Sequence, residues 1–258
     1  MERRTVDLNA DLGEGFGVWR LTDDEALLYV VTSANVACGF HAGDASTMRR
    51  VCRLAAERGV AVGAQVSYRD LAGFGRRFVD ADPGELRDDL LYQVAALAGI
   101  AAAEGTTVRY VKPHGALYNA VVHHEAQARA VVAATADAAR ALGAGVPLLG
   151  LPGSVLERLA AEAGVPFVRE AFADRGYTAG GTLVPRTEPG ALLAGTDAVV
   201  ARAVAVATGT PVTTTDGGDI VLDARSICLH GDSPGAVEAA RAVRAALHDA
   251  GVEVAAFA

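Results

Sequence analysis

The sequence predicts an α/β protein, a single-domain distorted (β/α) barrel of the TIM type over residues 1–258. Three observations lead there. Short apolar runs alternate with helix-like segments along the whole chain, as parallel strands joined by helical crossovers do. The helix-like segments have readable caps. Polar clusters rich in His, Asp and Gly follow the apolar runs at five separate places, which suits a ring of strand ends meeting at one mouth. An open doubly wound sheet would gather them at a single switch point.

Strands are expected at residues 5–8, 29–36, 60–66, 108–112, 146–151, 165–170 and 225–229, with 252–257 adding another, because each is short, apolar and rich in Val or Leu. Helices fall between them. Asp44 opens one that Gly59 ends, with Met48, Val51, Leu54 and Ala55 facing inward. Asp82, Pro83 and Glu85 form a capping box, after which Leu86, Leu90, Val94 and Leu97 share a face up to Gly105. Ser233 and Pro234 start the last helix, with Val237, Val243 and Leu247 along one side before Gly251. Residues 210–222 break the pattern: a β-rich run, Asp216-Gly-Gly-Asp219 and a second apolar run read as a β-hairpin on the rim.

Composition narrows the function. Hydrophobic residues make up 51% of 258, enough for a large core, and a net charge of −8 without a basic stripe argues against a nucleic-acid partner. Residues 191–208 are Ala-rich, but Thr196, Asp197 and Arg202 interrupt them, so no membrane span is expected. The N-terminus shows no signal peptide, and Cys38, Cys52 and Cys228 form no CxxC pair, which together point to a reduced, cytoplasmic setting.

The chemistry-bearing segments are Val6-Asp-Leu-Asn-Ala-Asp-Leu-Gly-Glu14, Ser33-Ala-Asn-Val-Ala-Cys-Gly-Phe-His-Ala-Gly-Asp44, Tyr110-Val-Lys-Pro-His-Gly-Ala-Leu-Tyr-Asn119, Glu170-Ala-Phe-Ala-Asp-Arg175 and Ser226-Ile-Cys-Leu-His-Gly-Asp232. On a strand Asp7, Asn9 and Asp11 share one side, so they form either a hydrogen-bonded barrel floor or part of a site. Gly13, Gly15 and Gly17 would then let a ligand approach closely. His41 reads as a metal ligand or general base, and Asp44 as a helix N-cap that can also serve a site. Lys112 and His114 face the same way; the cation keeps the histidine neutral and suits an anionic substrate. His230 is either a base or a satisfied core histidine. His123 and His124 read as solvated, His248 as a complement to its helix dipole, and Cys38 as a small buried hydrophobe rather than a nucleophile. Gly150-Leu-Pro-Gly-Ser154 is a strand-to-helix turn whose amides could hold an anion. There is no Walker loop, GxGxxG after the first strand, HExxH or GxSxG.

Taken in order, these segments, with Gly73-Phe-Gly-Arg-Arg77 and Leu183-Val-Pro-Arg186, resemble the LamB/YcsF family of 5-oxoprolinase A subunits. The resemblance runs from residue 5 to about residue 232. It implies a distorted βα-barrel similar to metal-dependent sugar deacetylases. It also implies ATP-dependent opening of the lactam 5-oxo-L-proline to L-glutamate, ATP being split to ADP and phosphate, with magnesium and two partner subunits. One departure is Gly63-Ala-Gln-Val66, where the family usually has Gly-Ala-His-Pro; Gln65 cannot act as a base. For that chemistry the expected catalytic residues are Asp11, His41, His114, Asp174 and His230, with a divalent metal in the barrel mouth on Asp11, His41 and His114. Substrate contacts are expected from Asn9, Glu14, Lys112, Asn119, Arg175 and Asp232. Two other readings stand beside this one: a non-catalytic lactam-binding subunit, and a stand-alone metal-dependent amidohydrolase or deacetylase. The sequence leaves room for a homo-oligomer.

Overall fold

The computed structural model describes residues 4–231 and 235–258. Asp232 and the Ser233–Pro234 start of the last helix lie outside the described residues. Six parallel strands come first: β1 (Thr5–Leu12), β2 (Ser33–Ala37), β3 (Ala61–Val66), β4 (Val108–Pro113), β5 (Leu148–Gly150) and β6 (Phe167–Phe172). The antiparallel hairpin of β7 (Val212–Thr213) and β8 (Asp219–Ile220) follows, as the sequence predicts. Then β9 (Ser226–Leu229) slots between β6 and β1 and closes a seven-stranded barrel. A short β10 (Glu253–Val254) returns to pair with the start of β1.

Helices α1 (Asp24–Leu28), α2 (Ala45–Arg58), α3 (Pro83–Ala103), α4 (Gly115–Ala120), α5 (Glu125–Leu142), α6 (Val155–Glu162), α7 (Thr196–Thr208) and α8 (Ala236–Asp249), with a 3-10 turn at Leu71–Gly73, make up the rest of the regular structure among the described residues. The caps act as read from the sequence. Asp44 accepts from the Thr47 amide, and Asp82 from the amides of Gly84 and Glu85. On α3, Leu86, Leu90, Val94 and Leu97 are all buried. The strand expected from residue 29 starts later, at Ser33, because Tyr29 caps α1 and the amides of Val30 and Val31 both bond back to Leu27. No helix among the described residues is long and apolar enough to cross a membrane.

Two interiors result from the alternation of strand side chains. On β1, Val6, Leu8, Ala10 and Leu12 belong to the apolar core, together with buried side chains from the helices. Asp7, Asn9 and Asp11 point the other way, into the barrel, where they meet polar groups from the facing strands. A βα-barrel interior is ordinarily filled by branched apolar side chains. Here it is a column of hydrogen bonds rising toward the C-terminal ends of the strands.

Candidate active site

The column begins with Asp7, whose carboxylate accepts from the hydroxyls of Thr32, Ser33 and Ser226. Burial pushes its pKa up despite these three donors. Above it, the Asn9 amide donates to Ser226 Oγ at 2.7 Å and Asn35 donates to Asn9 Oδ1 at 2.7 Å and to Asp11 Oδ1 at 2.8 Å. Tyr110 crosses the barrel to donate its hydroxyl to Asn35 Oδ1 at 2.6 Å. That reach depends on Gly63, where a Cβ would sit 2.1 Å from the tyrosine ring.

Lys112 ends the column. Its Nζ lies 3.1 Å from Asp11 Oδ1, 2.8 Å from Glu170 Oε1 and 3.2 Å from Cys228 Sγ, and the side chain is only 2% exposed. Burial favours the neutral amine, but Asp11 foremost, with Cys228 and Glu170, outweighs it and raises the Lys112 pKa well above the ordinary lysine value. Burial likewise opposes ionisation of Asp11, yet Lys112, followed by His230 and His114, holds that carboxyl below its usual range. The lysine is therefore a charged group already answered by two carboxylates.

Past the strand ends lies a second cluster. The rings of His41 and His114 stack with centroids 4.2 Å apart, and His114 Nε2 is 3.7 Å from Glu14 Oε1. Gln65 orients the group: its amide nitrogen lies 3.5 Å from Glu14 Oε1 and its oxygen 3.1 Å from His41 Nε2, so His41 carries its proton on Nε2. Burial pushes the His41 pKa down to about 4, and burial plus the adjoining His41 ring takes His114 well below the ordinary value. Both rings are thus neutral at neutral pH. The loop that follows the turn Leu71–Gly73 covers them, with the Phe74 ring edge-on to both. Gly75 makes that closure fit; a Cβ there would lie 2.8 Å from His41 Cβ and 3.0 Å from His114 Nδ1.

A third unit faces the same space. His230 Nδ1 lies 2.8 and 3.0 Å from the two oxygens of Asp174, and its backbone amide donates to the same carboxylate at 3.2 Å. Its ring stacks on Phe172 at 5.4 Å. Although burial opposes it, the His230 ring lowers the Asp174 pKa, so the carboxylate is ionised and can fix the imidazole with its proton on Nδ1. Nε2 is left as the basic nitrogen. An Asp–His pair of this kind orients a base.

A cavity of about 1040 Å³ joins these units; Asp11, Lys112, His114, Asn119, Arg175 and His230 all line it. The other expected site residues lie elsewhere. Asn9 is fully buried in the column beneath Lys112, bonded within it, and does not line the cavity. Glu14 and His41 are buried and do not line the cavity, whereas His114 beside them does. Asp11 is engaged by Asn35 and Lys112, and the carboxylate beside the two histidines is Glu14 instead. Arg175 donates to the carbonyls of Ala191 and Val184, bracing the loop that forms one cavity wall. The glycines at 13, 15 and 17 shape the turn where Phe16 pairs with Trp19 and do not border the cavity. His123 and His124, read as solvated, stand on the cavity wall, with His124 also capping α5. The Gly153 amide is not open to an external anion: it donates to Glu157 at 2.7 Å. Burial raises the Cys38 thiol pKa, which agrees with its reading as a small buried residue.

Sequence reasoning assigned no role to Glu170, Phe172, Arg76 and Arg186. Glu170 and Phe172 open a segment singled out only for its Asp and Arg; their alternation with Ala171 on β6 is the available signal for inward placement. Arg76 and Arg186 stand in motifs named above without an assigned role.

The family profile of LamB/YcsF matches residues 6–258. The chain belongs to the LamB/YcsF family. It is 64% identical over 253 residues to the 5-oxoprolinase A subunit of Streptomyces avermitilis, covering 98% of this chain and 100% of that one. A crystal structure of the lactam utilization protein from Thermus thermophilus superposes with a TM-score of 0.90 at 43% identity, covering 98% of this chain and 100% of the other. A family 4 carbohydrate esterase from Streptomyces lividans, with 13% identity and a TM-score of 0.51 over 98% of this chain and 93% of its own, shares the fold.

Within this LamB/YcsF chain, Glu14, His41 and His114 form a group whose ligand atoms all lie within 4.8 Å of one another. Two neutral imidazoles and a carboxylate are a donor set suited to zinc or a similar divalent ion. Two buried nitrogens, His41 Nδ1 and His114 Nδ1, have no hydrogen-bond partner, which also fits a site that takes up a cation. The residues therefore fit the metal that the sequence places in the mouth, with Glu14 in place of Asp11.

Proposed function

We propose that this chain is the ring-opening subunit of an ATP-dependent 5-oxoprolinase, converting 5-oxo-L-proline to L-glutamate together with two partner subunits. The observation that carries the reading is the His230–Asp174 pair on the wall of a cavity shared with His114 and Lys112. The names of the relatives, a 5-oxoprolinase A subunit and a lactam utilization protein, support the substrate class.

A lactam carbonyl resists water. Transfer of a phosphoryl group from magnesium-bound ATP to the lactam oxygen, a step of the whole complex, makes the ring carbon electrophilic. His230 Nε2 then takes a proton from water as the water oxygen bonds to that carbon, and Asp174 stabilises the imidazolium. The carbon–nitrogen bond breaks, the ring nitrogen receives the proton, and the product is an acyl phosphate that a second water hydrolyses to glutamate and phosphate. Lys112 stabilises negative charge at the reacting oxygen, and Asp11 and Glu170 keep it charged and in place. A divalent ion on Glu14, His41 and His114 would supply Lewis acidity when bound.

The test is glutamate release from 5-oxoproline, ATP and magnesium, with this chain alone and with both partner subunits. Glutamate in the full mixture only is the expected result. Partners that consume ATP without glutamate appearing would overturn the proposal. The Glu14–His41–His114 group favours a second reading, a metal-dependent amidohydrolase acting alone. Hydrolysis by the isolated chain that a chelator abolishes would establish that one instead.

A further inference from the structure

Ring opening asks His230 to become an imidazolium in a wall that already holds the Lys112 ammonium. A cation nearby opposes a second one. Asp174, 2.8 Å from Nδ1, answers part of that cost. Among the described residues, Asp11, Arg76, Lys112, His114, Arg175 and Arg186 share the cavity wall with the imidazole, from β1, the loop after β3, the end of β4 and the segment after β6. Asp11 is the carboxylate of that set, and Lys112 engages it at 3.1 Å. The face of the imidazole, in contrast, meets an aromatic ring that takes no part in the steps above.

That ring is Phe172, at the end of β6. The His230 imidazole stacks on it with centroids 5.4 Å apart and planes 19° from parallel. Lys112 Nζ lies 5.2 Å from the centre of the same ring. An aromatic face carries negative charge density and attracts a cation within about 6 Å. One π-system thus serves both the ammonium that is already present and the imidazolium that the reaction creates. The ring is itself held in place. Tyr118 meets it edge-on at 5.5 Å and 90°, and the Phe172 amide donates to the buried Tyr177 hydroxyl at 2.7 Å.

We propose that Phe172 is a positioning residue for the base: its ring fixes the plane of the His230 imidazole and stabilises the positive charge that this imidazole acquires beside Lys112. The consequence for turnover rests on the ring-opening reading above, whereas the contact itself does not depend on the substrate. Phe172→Leu keeps an apolar side chain in the space but removes the quadrupole. Fluorines added to the phenylalanine ring keep its shape and drain its face of negative charge. The two kinds of change separate filling from electrostatics.

Nuclear magnetic resonance of the full chain tests this, with the His230 signals assigned by their loss in His230→Asn. The carbon-bound ring protons of His230 should be displaced by the aromatic ring current in the natural protein and not in Phe172→Leu. The proton affinity of His230, followed through the same signals against pH, should fall about fivefold in Phe172→Leu. It should fall by smaller, ordered steps along mono-, di- and trifluorinated phenylalanine at the same position. In the complex with both partner subunits, kcat for glutamate should fall in that order while KM stays within about twofold. A proton affinity indifferent to fluorination shows a ring that only fills space and overturns the proposal, and so does an undisplaced signal in the natural protein. Glutamate formed at the natural rate by every variant overturns the role of Phe172 and leaves the ring-opening reading intact. Ordered losses of proton affinity, with no glutamate from the natural complex, uphold the contact and count against that reading.

Discussion

The floor and the mouth of this barrel are both polar, but they are finished differently. At the floor, Asp7, Asn9, Asn35 and Tyr110 have their hydrogen-bonding atoms engaged by Thr32, Ser33, Ser226 and each other. At the mouth, His41 Nδ1 and His114 Nδ1 are buried without a hydrogen bond. A buried polar group left unmatched costs about 1–3 kcal/mol. A fold that matches such groups lower in the same barrel leaves these two imidazole nitrogens open, and that deficit sets the mouth apart from the floor. Polarity alone does not distinguish a structural column from a site; satisfaction does.

Lys112, at the boundary, gives the largest expected effect. Lys112→Met leaves Asp11 and Glu170 buried without their cation, and unfolding free energy by urea titration should fall by about 3–5 kcal/mol. A loss below about 1 kcal/mol would mean that the column does not depend on its charged top. His230→Ala should do the opposite: stability close to the natural protein, with glutamate formation by the complex reduced by about 10²–10⁴-fold. Full turnover would break the comparison at its functional end, since the unit would then be as structural as the floor. Gly63→Ala probes the floor's packing. The added methyl collides with Tyr110, and a destabilisation of about 1–3 kcal/mol is expected with little change in ligand binding.

Asp7 gives the smallest effect and the clearest sign. Its pKa is raised on folding, so between the unfolded value, about 3.9, and the higher folded one the native state holds more protons. Its stabilising contribution is full below about pH 4 and declines as pH rises through the folded pKa. Asp7→Asn should flatten that part of the urea-midpoint profile without altering turnover. A steeper profile in the variant would show that the carboxylate is ionised and stabilising, as a mouth residue would be.

The barrel was legible in the sequence because its cues are local. Asp44 and Asp82 announce helix starts through their own side chains, and each apolar run is long enough for one strand. The inward column was legible in part, from the alternation of Asp7, Asn9 and Asp11. Pairing across the barrel was not. That Asp11 would be taken by Lys112, 101 residues away, and that Glu14 would join the histidines in its place, depends on strand register and loop path, which no local pattern encodes. Arg175 shows the same limit: a guanidinium beside an aspartate reads as a substrate clamp, whereas its position in the fold turns it toward the carbonyls at 184 and 191.

The stretch from residue 173 to 225 leaves the barrel at β6 and re-enters at β9, its immediate neighbour, with Glu170 lying beside Ser226. Two anchors side by side make the connection insensitive to length, since doubling a flexible loop adds only about 0.6 kcal/mol of closure entropy. Insertions, deletions and sequence drift there leave the strand frame, with Lys112 and His114, undisturbed. Descendants of this scaffold can therefore exchange the wall that carries Thr178, Thr182 and Arg186 while inheriting the strand frame, so long as Asp174, at the start of the stretch, stays to hold His230.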